Sequence, residues 1–252
     1  MRKVGVQVII QARMGSTRLP GKILKPYAGG YTVLEWIIAR ARLSRRAERV
    51  VVATTTNPKD DATEDACMRA GCDFVRGSEE DVLARFADVA RAYPSDVILQ
   101  INADEPLVDI DEMDRLADIL REEGLDYANN HPGGLPLGTG SEVYRAAAFA
   151  RMVAEAKDPY EHEHVTPYFY RHPKIFKQRI VAPSTIHPFA ESARLTLDTA
   201  EDFEFQHHLT ESMGFSEPLQ QPSTNGVLTF LQSHPDIVAI NKNMVQKTFP
   251  KA

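Results

Sequence analysis

Four cations and two hydroxyls cluster near the start of the chain, in the stretch Val8-Ile-Ile-Gln-Ala12-Arg13-Met-Gly15-Ser16-Thr17-Arg18-Leu-Pro-Gly21-Lys22-Ile-Leu-Lys25. An apolar, β-branched run opens into a loop bearing Arg13, Arg18, Lys22 and Lys25. Gly15 and Gly21 let the backbone turn tightly, and Ser16 and Thr17 stand between the two arginines. Such a loop meets the needs of a polyphosphate: backbone N–H groups close by, guanidinium forks for phosphate oxygens, and no acid to repel them. Six of the 29 Lys/Arg but none of the 35 Asp/Glu fall in the first 34 residues, although the formal net charge is −6. A merely solvated basic loop has no need of this order of strand, glycines, hydroxyls and cations. Ile23 follows Gly21-Lys22 where a Walker A loop carries Ser or Thr, and no GxGxxG follows the strand, so both of those phosphate signatures are excluded.

A triphosphate travels with a divalent cation, and a hard cation needs carboxylate oxygens. Two acids follow strand-like runs: Asp104 in Gln100-Ile-Asn102-Ala103-Asp104-Glu-Pro106, and Asp198 in Leu195-Thr-Leu-Asp198-Thr-Ala-Glu-Asp202. Each has a local reading as well, a turn before Pro106 for Asp104 and helix capping for Asp198 and Thr199. Two strand-end acids together with a basic loop are harder to account for separately. Asp109-Ile110-Asp111 is a D-x-D, but it stands where a helix begins, and capping explains it. His162 and His164 flanked by glutamates invite a zinc reading; Thr166 stands where HExxH needs its second histidine, so they read as surface or substrate-contacting groups. Cys67 and Cys72 have no further Cys or His ligands close by and read as buried thiols.

Alternating elements must position these groups. Val4–Ile10, Arg49–Ala53, Asp73–Val75 and Val97–Ile101 read as strands; Thr32–Arg46, Asp61–Ala70, a Ser78-capped segment to Tyr93, and Asp111–Glu123 read as helices. This order predicts a parallel sheet with helices on both faces, whose ligands sit beyond the carboxyl ends of the strands. Asn129–Ser141, with four glycines and two prolines, is loop. Beyond it the pattern predicts strands over Glu142–Tyr144, Ile175–Val181, Arg194–Leu197 and Ile237–Ile240. Helices are predicted over Arg145–Lys157, Pro159–Tyr170, Glu201–Met213 and Thr224–Gln232. At 252 residues, 43% hydrophobic and 25% charged, the chain reads as one globular domain, 1–252, with a C-terminal appendage over 215–252 and Pro218–Ser223 as candidate linker. No apolar run reaches membrane-spanning length, nothing asks for an oxidising compartment, and the acidic balance argues against nucleic acid; the expectation is a cytoplasmic protein without membrane contact.

The string Ile9-Ile-Gln-Ala-Arg-Met-Gly-Ser-Thr-Arg-Leu-Pro-Gly-Lys22 resembles the nucleotide-binding signature of the cytidylyltransferases, above all the branch named for spore coat polysaccharide biosynthesis, related to the enzymes that make CMP-sialate and CMP-KDO. Ala103-Asp104-Glu105-Pro106-Leu107-Val108 and Arg194-Leu-Thr-Leu-Asp198-Thr-Ala-Glu-Asp202 resemble that family's two acidic motifs, with Ala103 in place of the usual glycine. Arg76-Gly-Ser78-Glu-Glu-Asp81-Val-Leu-Ala-Arg85 resembles the segment bordering the nucleotide. Leu137–Tyr144 and Asp158–Tyr168 resemble the acceptor-side motifs.

The resemblance implies a Rossmann-like mixed, mostly parallel sheet of the nucleotide-diphospho-sugar transferase type, a homodimer, and Mg2+ on Asp104 and Asp198. It implies CTP bound by Ala12, Gly15, Ser16, Thr17, Arg76, Ser78 and Asn102, with Arg13, Arg18 and Lys22 acting on the phosphates. Asn129, Glu142, Glu163 and His164 would meet a small-molecule acceptor, a sugar or a small acid. The choice of cytosine rests on the resemblance alone. Two rivals stay open from the residues: a nucleotide-sugar-dependent glycosyltransferase, through the D-x-D, and a non-catalytic nucleotide-binding subunit, through Ala103. If position 103 needs a positive φ, alanine costs about 1 kcal/mol there.

Overall fold

Alternation along the first strand sets the layers. In β1 (Val6–Gln11), Val6, Val8 and Ile10 enter one apolar core and Ile9 enters another on the opposite face. A computed structural model describes residues 5–131 and 134–246. Val4, Pro132, Gly133 and the end of the expected appendage beyond 246 lie outside the described residues.

Around β1 stand β2 (Arg49–Thr55), β3 (Asp73–Gly77), β4 (Val97–Asn102), β5 (Tyr127–Asn129), β6 (Glu142–Arg145) and β7 (Gln178–Ile180). Their order is β3-β2-β1-β4-β6-β5-β7. β6 runs antiparallel to β4 and β5, and the remaining pairs are parallel. The sheet is therefore mixed and mostly parallel, as the sequence predicts. One face is covered by α1 (Val33–Ala41), α2 (Asp61–Arg69), α4 (Ile110–Glu122), α8 (Ala200–Met213), α9 (Thr224–Gln232) and α10 (Pro235–Asn241). The other is covered by α3 (Val82–Ala92), α5 (Ala146–Glu155) and α7 (Pro167–Arg171), with α6 (Pro159–His164) against α3. From β1 the connections run outward to β2 on one side, while β4 lies on the other. The gap beyond the carboxyl ends of β1 and β4 is thus a topological switch point, where ligands of such sheets bind.

Four local expectations are corrected. Helix α3 is capped by Asp81, whose carboxylate accepts from the Ala84 N–H at 2.8 Å; Ser78 Oγ instead accepts from the Asp81 N–H at 3.0 Å and closes the preceding turn. Arg194–Leu197 is extended but meets its neighbour through a single bridge, Arg194 to Leu137, and forms no strand. Ile237–Ile240 lies in α10, because Pro235 at the first turn presets a helical φ and the helix packs on α8. The helix expected over Pro159–Tyr170 divides into α6 and α7 at Val165, which has φ 66°. That is a costly conformation for a β-branched residue. The short strand β5 carries too few residues for its alternation to be legible.

The candidate linker is packed rather than free. Arg40 Nη1 donates to the Pro218 carbonyl at 2.8 Å and Trp36 Nε1 to Gln221 Oε1 at 3.0 Å. Phe215, Val227, Leu228, Leu231 and Ile237 are buried in the same core as β1 and α1. Each such side chain contributes about 1.5–3 kcal/mol of burial.

Gly138 ties the Gly/Pro-rich loop to the segment carrying Asp198. Its φ is +95°, and a Cβ there would stand 2.3 Å from the Thr196 nitrogen. Beside it the Leu195 N–H donates to the Leu137 carbonyl at 2.8 Å. Gly138→Ala is expected to lower stability by at least ~1–3 kcal/mol through strain and backbone displacement, read as a reduced urea midpoint. An unchanged midpoint would show that this close approach does not constrain the fold.

Candidate active site

The basic loop leaves β1 at Ala12 and doubles back on itself. The Met14 carbonyl accepts from the N–H groups of Ser16 at 2.9 Å and Gly21 at 3.4 Å, and Ser16 Oγ accepts from the Leu19 N–H at 3.3 Å. Gly21, at φ 68°, starts a short helical turn over Lys22–Leu24 that sends the Lys22 side chain inward. The base of the loop is held by Asp60, almost wholly buried. Its carboxylate accepts from the Met14 N–H at 2.7 Å and from the hydroxyls of Thr63 and Thr55. Asp60 carried no sequence signal beyond a loop after β2, since its partners are set by tertiary placement. Arg85 is likewise buried, donating to the Ser78 carbonyl at 2.6 Å; burial, then the nearby Arg13 charge, lowers it to about 10.

Lys22 brings the two acids together. Its Nζ lies 2.7 Å from Asp104 Oδ2, 3.0 Å from Asp198 Oδ1 and 2.9 Å from the Leu197 carbonyl. Arg18 reaches the same Asp198 oxygen at 2.9 Å. Arg194 clamps from behind, with Nη2 3.1 Å from Asp198 Oδ2 and its fork on Asp202 at 2.9 and 3.0 Å. Burial opposes the charge on Asp198, but Lys22, then Arg18 and Arg194, outweigh it and hold the carboxyl below its usual range. Burial similarly opposes the Lys22 charge, and Asp104 and Asp198 outweigh it, raising its pKa. Helix capping does not explain Asp198: Thr199 and Asp202 form the capping box of α8, and Asp198 turns to the cations. Asp104 does lie in a turn, closed by the Glu105 N–H on the Asn102 carbonyl at 3.2 Å; its own carbonyl accepts from the Leu197 N–H at 2.8 Å, while its side chain meets Lys22. Next to it Glu105 is buried, which together with the Asp104 charge pushes it up to about 8.

Ala103 is not strained. Val165 is the one non-glycine residue with positive φ among the described residues, and Ala103 donates its N–H to the Gln11 carbonyl at 2.9 Å. The D-x-D is likewise accounted for, since Asp109 caps α4 by accepting from the Glu112 N–H at 3.0 Å.

These groups line one cleft of about 620 Å³ at the switch point. Arg13, Gly15, Ser16, Thr17, Arg18 and Lys22 form one wall, Asn102, Asp104 and Asp198 the floor, and Glu142, Glu163 and His164 the far side. Four expected residues are not on its wall. Ala12 is buried. Arg76 has its fork taken by the Thr55 and Asn57 carbonyls, Asp61 and Glu64. Ser78 serves the turn before α3. Asn129 is buried, donating to the Tyr127 hydroxyl at 2.7 Å. Lys25 lies over the Phe203 ring at 5.3 Å.

The lining also includes Gln100 and Tyr170, which the sequence reading missed. Tyr160 and Thr166 of the acceptor-side motif and His131 of the Gly/Pro-rich loop line it too, although they were not singled out as site residues. Glu142, at the start of β6, accepts from Tyr127 at 2.7 Å and Thr166 at 2.8 Å. The positive φ of Val165 is what turns Thr166 back to face the same space as Glu163 and His164. Burial lowers the His164 pKa. His162 points elsewhere, its Nδ1 2.8 Å from Asp81 Oδ2.

Residues 7–221 match the family profile described as cytidylyltransferase. The chain is 35% identical over 241 residues to protein MJ1063 of Methanocaldococcus jannaschii, covering 96% of each. It is 36% identical over 235 residues to the spore coat polysaccharide biosynthesis protein SpsF of Bacillus subtilis, covering 90% of this chain and 94% of that one. A solved cytidylyltransferase from Leptospira borgpetersenii matches it with a TM-score of 0.86 and 30% identity, over 97% of this chain and 100% of the other.

The His162–Asp81 pair fastens α6, which carries Glu163 and His164, to the start of α3. The Asp81 hydrogen bond raises the His162 pKa. Its stabilisation is therefore complete below the unfolded value near 6.5 and is lost as pH rises through the folded value. Asp81→Asn, which keeps a capping oxygen, is expected to cost more at about pH 5.5 than at about pH 8.5, by less than ~1 kcal/mol because the pair is part-exposed. Urea midpoints of both proteins at both pH values check this; an equal difference at the two would remove the charge contribution.

Proposed function

This chain belongs to the cytidylyltransferase family, and we propose on that premise that it transfers the cytidylyl group of CTP to a sugar or small acidic acceptor. An acceptor oxygen attacks the α-phosphorus, the bond to the oxygen bridging the α- and β-phosphates breaks, and pyrophosphate departs with that electron pair. The observation that carries the reading is the junction of loop and acids: Lys22 within 3.0 Å of both Asp104 and Asp198 at the switch point.

Transfer of this kind needs positioning and charge neutralisation more than covalent help. Arg13, Arg18 and Lys22 bind the β- and γ-phosphates and stabilise the charge growing on pyrophosphate. Ser16, Thr17 and the loop backbone complete that cradle. Asp104 and Asp198 fit a hard divalent cation, because their oxygens and the Leu197 carbonyl already converge on one positive charge. A Mg2+ ion held by these two carboxylates would supply neutralisation of phosphate charge and make an acceptor hydroxyl more acidic. Glu142, Glu163 and His164 orient the acceptor. The sugar is supported by the SpsF likeness and by the aromatic and carboxylate wall of Tyr160, Tyr170, Glu142 and Glu163. A cytoplasmic homodimer belongs to the same reading; Cys67 and Cys72 are free and buried, and no helix among the described residues is long and apolar enough to cross a membrane.

Pyrophosphate release measured with each of the four nucleoside triphosphates and a panel of sugar acceptors tests the reaction. CTP alone is expected to support it. Cleavage of a nucleotide sugar without pyrophosphate would replace it with glycosyl transfer. Asp198→Asn is expected to abolish turnover with an unchanged fold. Arg18→Ala is expected to lower kcat by ~10²–10³-fold, with a smaller effect on KM for CTP. A raised KM at unchanged kcat would limit Arg18 to ground-state binding.

A further inference from the structure

Lys22 cannot hold the phosphates from where it stands. An ammonium has three N–H donors, and three oxygens surround this one: Asp104 Oδ2 at 2.7 Å, the Leu197 carbonyl at 2.9 Å and Asp198 Oδ1 at 3.0 Å. The lysine side chain is only 10% exposed and that of Asp198 only 8%. The position is therefore an oxygen cage around a cation, and the cation is the protein's own. A divalent metal on the same two carboxylates requires oxygens at about 2.0–2.1 Å, which leaves no room for an ammonium between them. Conversely, if Lys22 swings away alone, two carboxylates beside buried Glu105 lose a compensating charge, a costly state in a low-dielectric site.

We propose that Lys22 occupies the cation position of the cleft while nucleotide is absent, and that metal enters together with the polyphosphate that draws the lysine away. The proposal rests on Asp104 and Asp198 being the metal-holding pair. Exchange of one cation for another keeps the carboxylates neutralised throughout. It also makes metal and nucleotide binding mutually dependent: phosphates supply the new partner for Lys22, and the metal supplies the new partner for the acids. Arg18 differs in kind. Its guanidinium meets Asp198 from outside at 2.9 Å and its side chain is 31% exposed, so it sits at the rim of the cage.

Mn2+ is the probe, its free fraction followed by electron paramagnetic resonance on the nucleotide-free protein. Wild type is expected to bind it weakly, and Lys22→Met to bind it at least ~10-fold more tightly, within the usual range of coupling between sites. Arg18→Met removes the same charge from the same carboxylate without vacating the cage, and its gain is expected to be clearly smaller. Equal gains in the two variants, or tight Mn2+ binding by nucleotide-free wild type, overturn the proposal. Lys22→Gln repeats the measurement if circular dichroism shows that the methionine variant is misfolded. Asp198→Asn with CTP present separates the two levels. Undiminished Mn2+ binding there sinks the metal assignment and the lysine proposal together, whereas its loss, with no gain in the Lys22 variants, sinks the lysine proposal alone.

Discussion

Carboxylates at the bottom of a cleft repel one another and resist leaving water, so the site depends on the positive charge placed among them. Asp104, Glu105, Asp198 and Asp202 follow one another closely around the cleft floor, and burial opposes the charge on Asp198 and Glu105. Lys22 stands between Asp104 and Asp198, and Arg194 spans Asp198 and Asp202. Glu105 has no such cation among the described residues, and burial, then the Asp104 charge, pushes it up to about 8. The other features serve this arrangement. Gly21 aims the lysine, the capping box of α8 turns Asp198 out of the helix end, and Asn241 of α10 steadies Asp202 with a hydrogen bond of 3.0 Å.

The first half of the fold was legible because its signals are local. Runs such as Val50-Val-Val52 can only be buried strand, and glycines at 71 and 124 end their helices at φ 58° and 62°. The loop from Arg13 to Lys22, and the acids Asp104 and Asp198, could be picked out because strand ends and residue type together mark them. What failed did so for identifiable reasons. Ile237–Ile240 has strand-like composition, and only Pro235 and the neighbouring α8 make it helix. Arg194–Leu197 looks like a strand because it is extended, but its neighbours are Leu137 and Asp104 rather than a ladder. Arg76 lies in a motif resembling the nucleotide border, yet nearby carbonyls and acids take up its fork. Asp60 was invisible, because its role exists only once separate loops are packed together, and Arg85, the last residue of that same motif, is buried on the Ser78 carbonyl.

The acceptor side was the least legible part, and Val165 shows why. Periodicity favours one continuous helix from Pro159 to Tyr170. The chain instead adopts φ 66° at a buried valine, of the kind that costs of order 1–3 kcal/mol. The gain is directional. With the break, Glu163, His164 and Thr166 all border one cavity, and Thr166 reaches Glu142. Pattern reasoning fails where the chain departs from its preferred geometry, and in this protein that departure falls on the cleft wall.

The ion cluster also has a place in time. Lys22 is separated from Asp104 by 82 residues and from Asp198 by 176. A chain emerging from the ribosome completes the phosphate loop early, then β4, and delivers Asp198 only after the greater part of the polypeptide has appeared. Closing so long a span adds little entropy per added residue, but such distant contacts form late. The sheet's first four strands therefore leave the ribosome before the site is complete. A nascent chain that has completed β4 has the cationic loop and Asp104 without Asp198, and it gains the second acid in the same event that closes its tertiary structure.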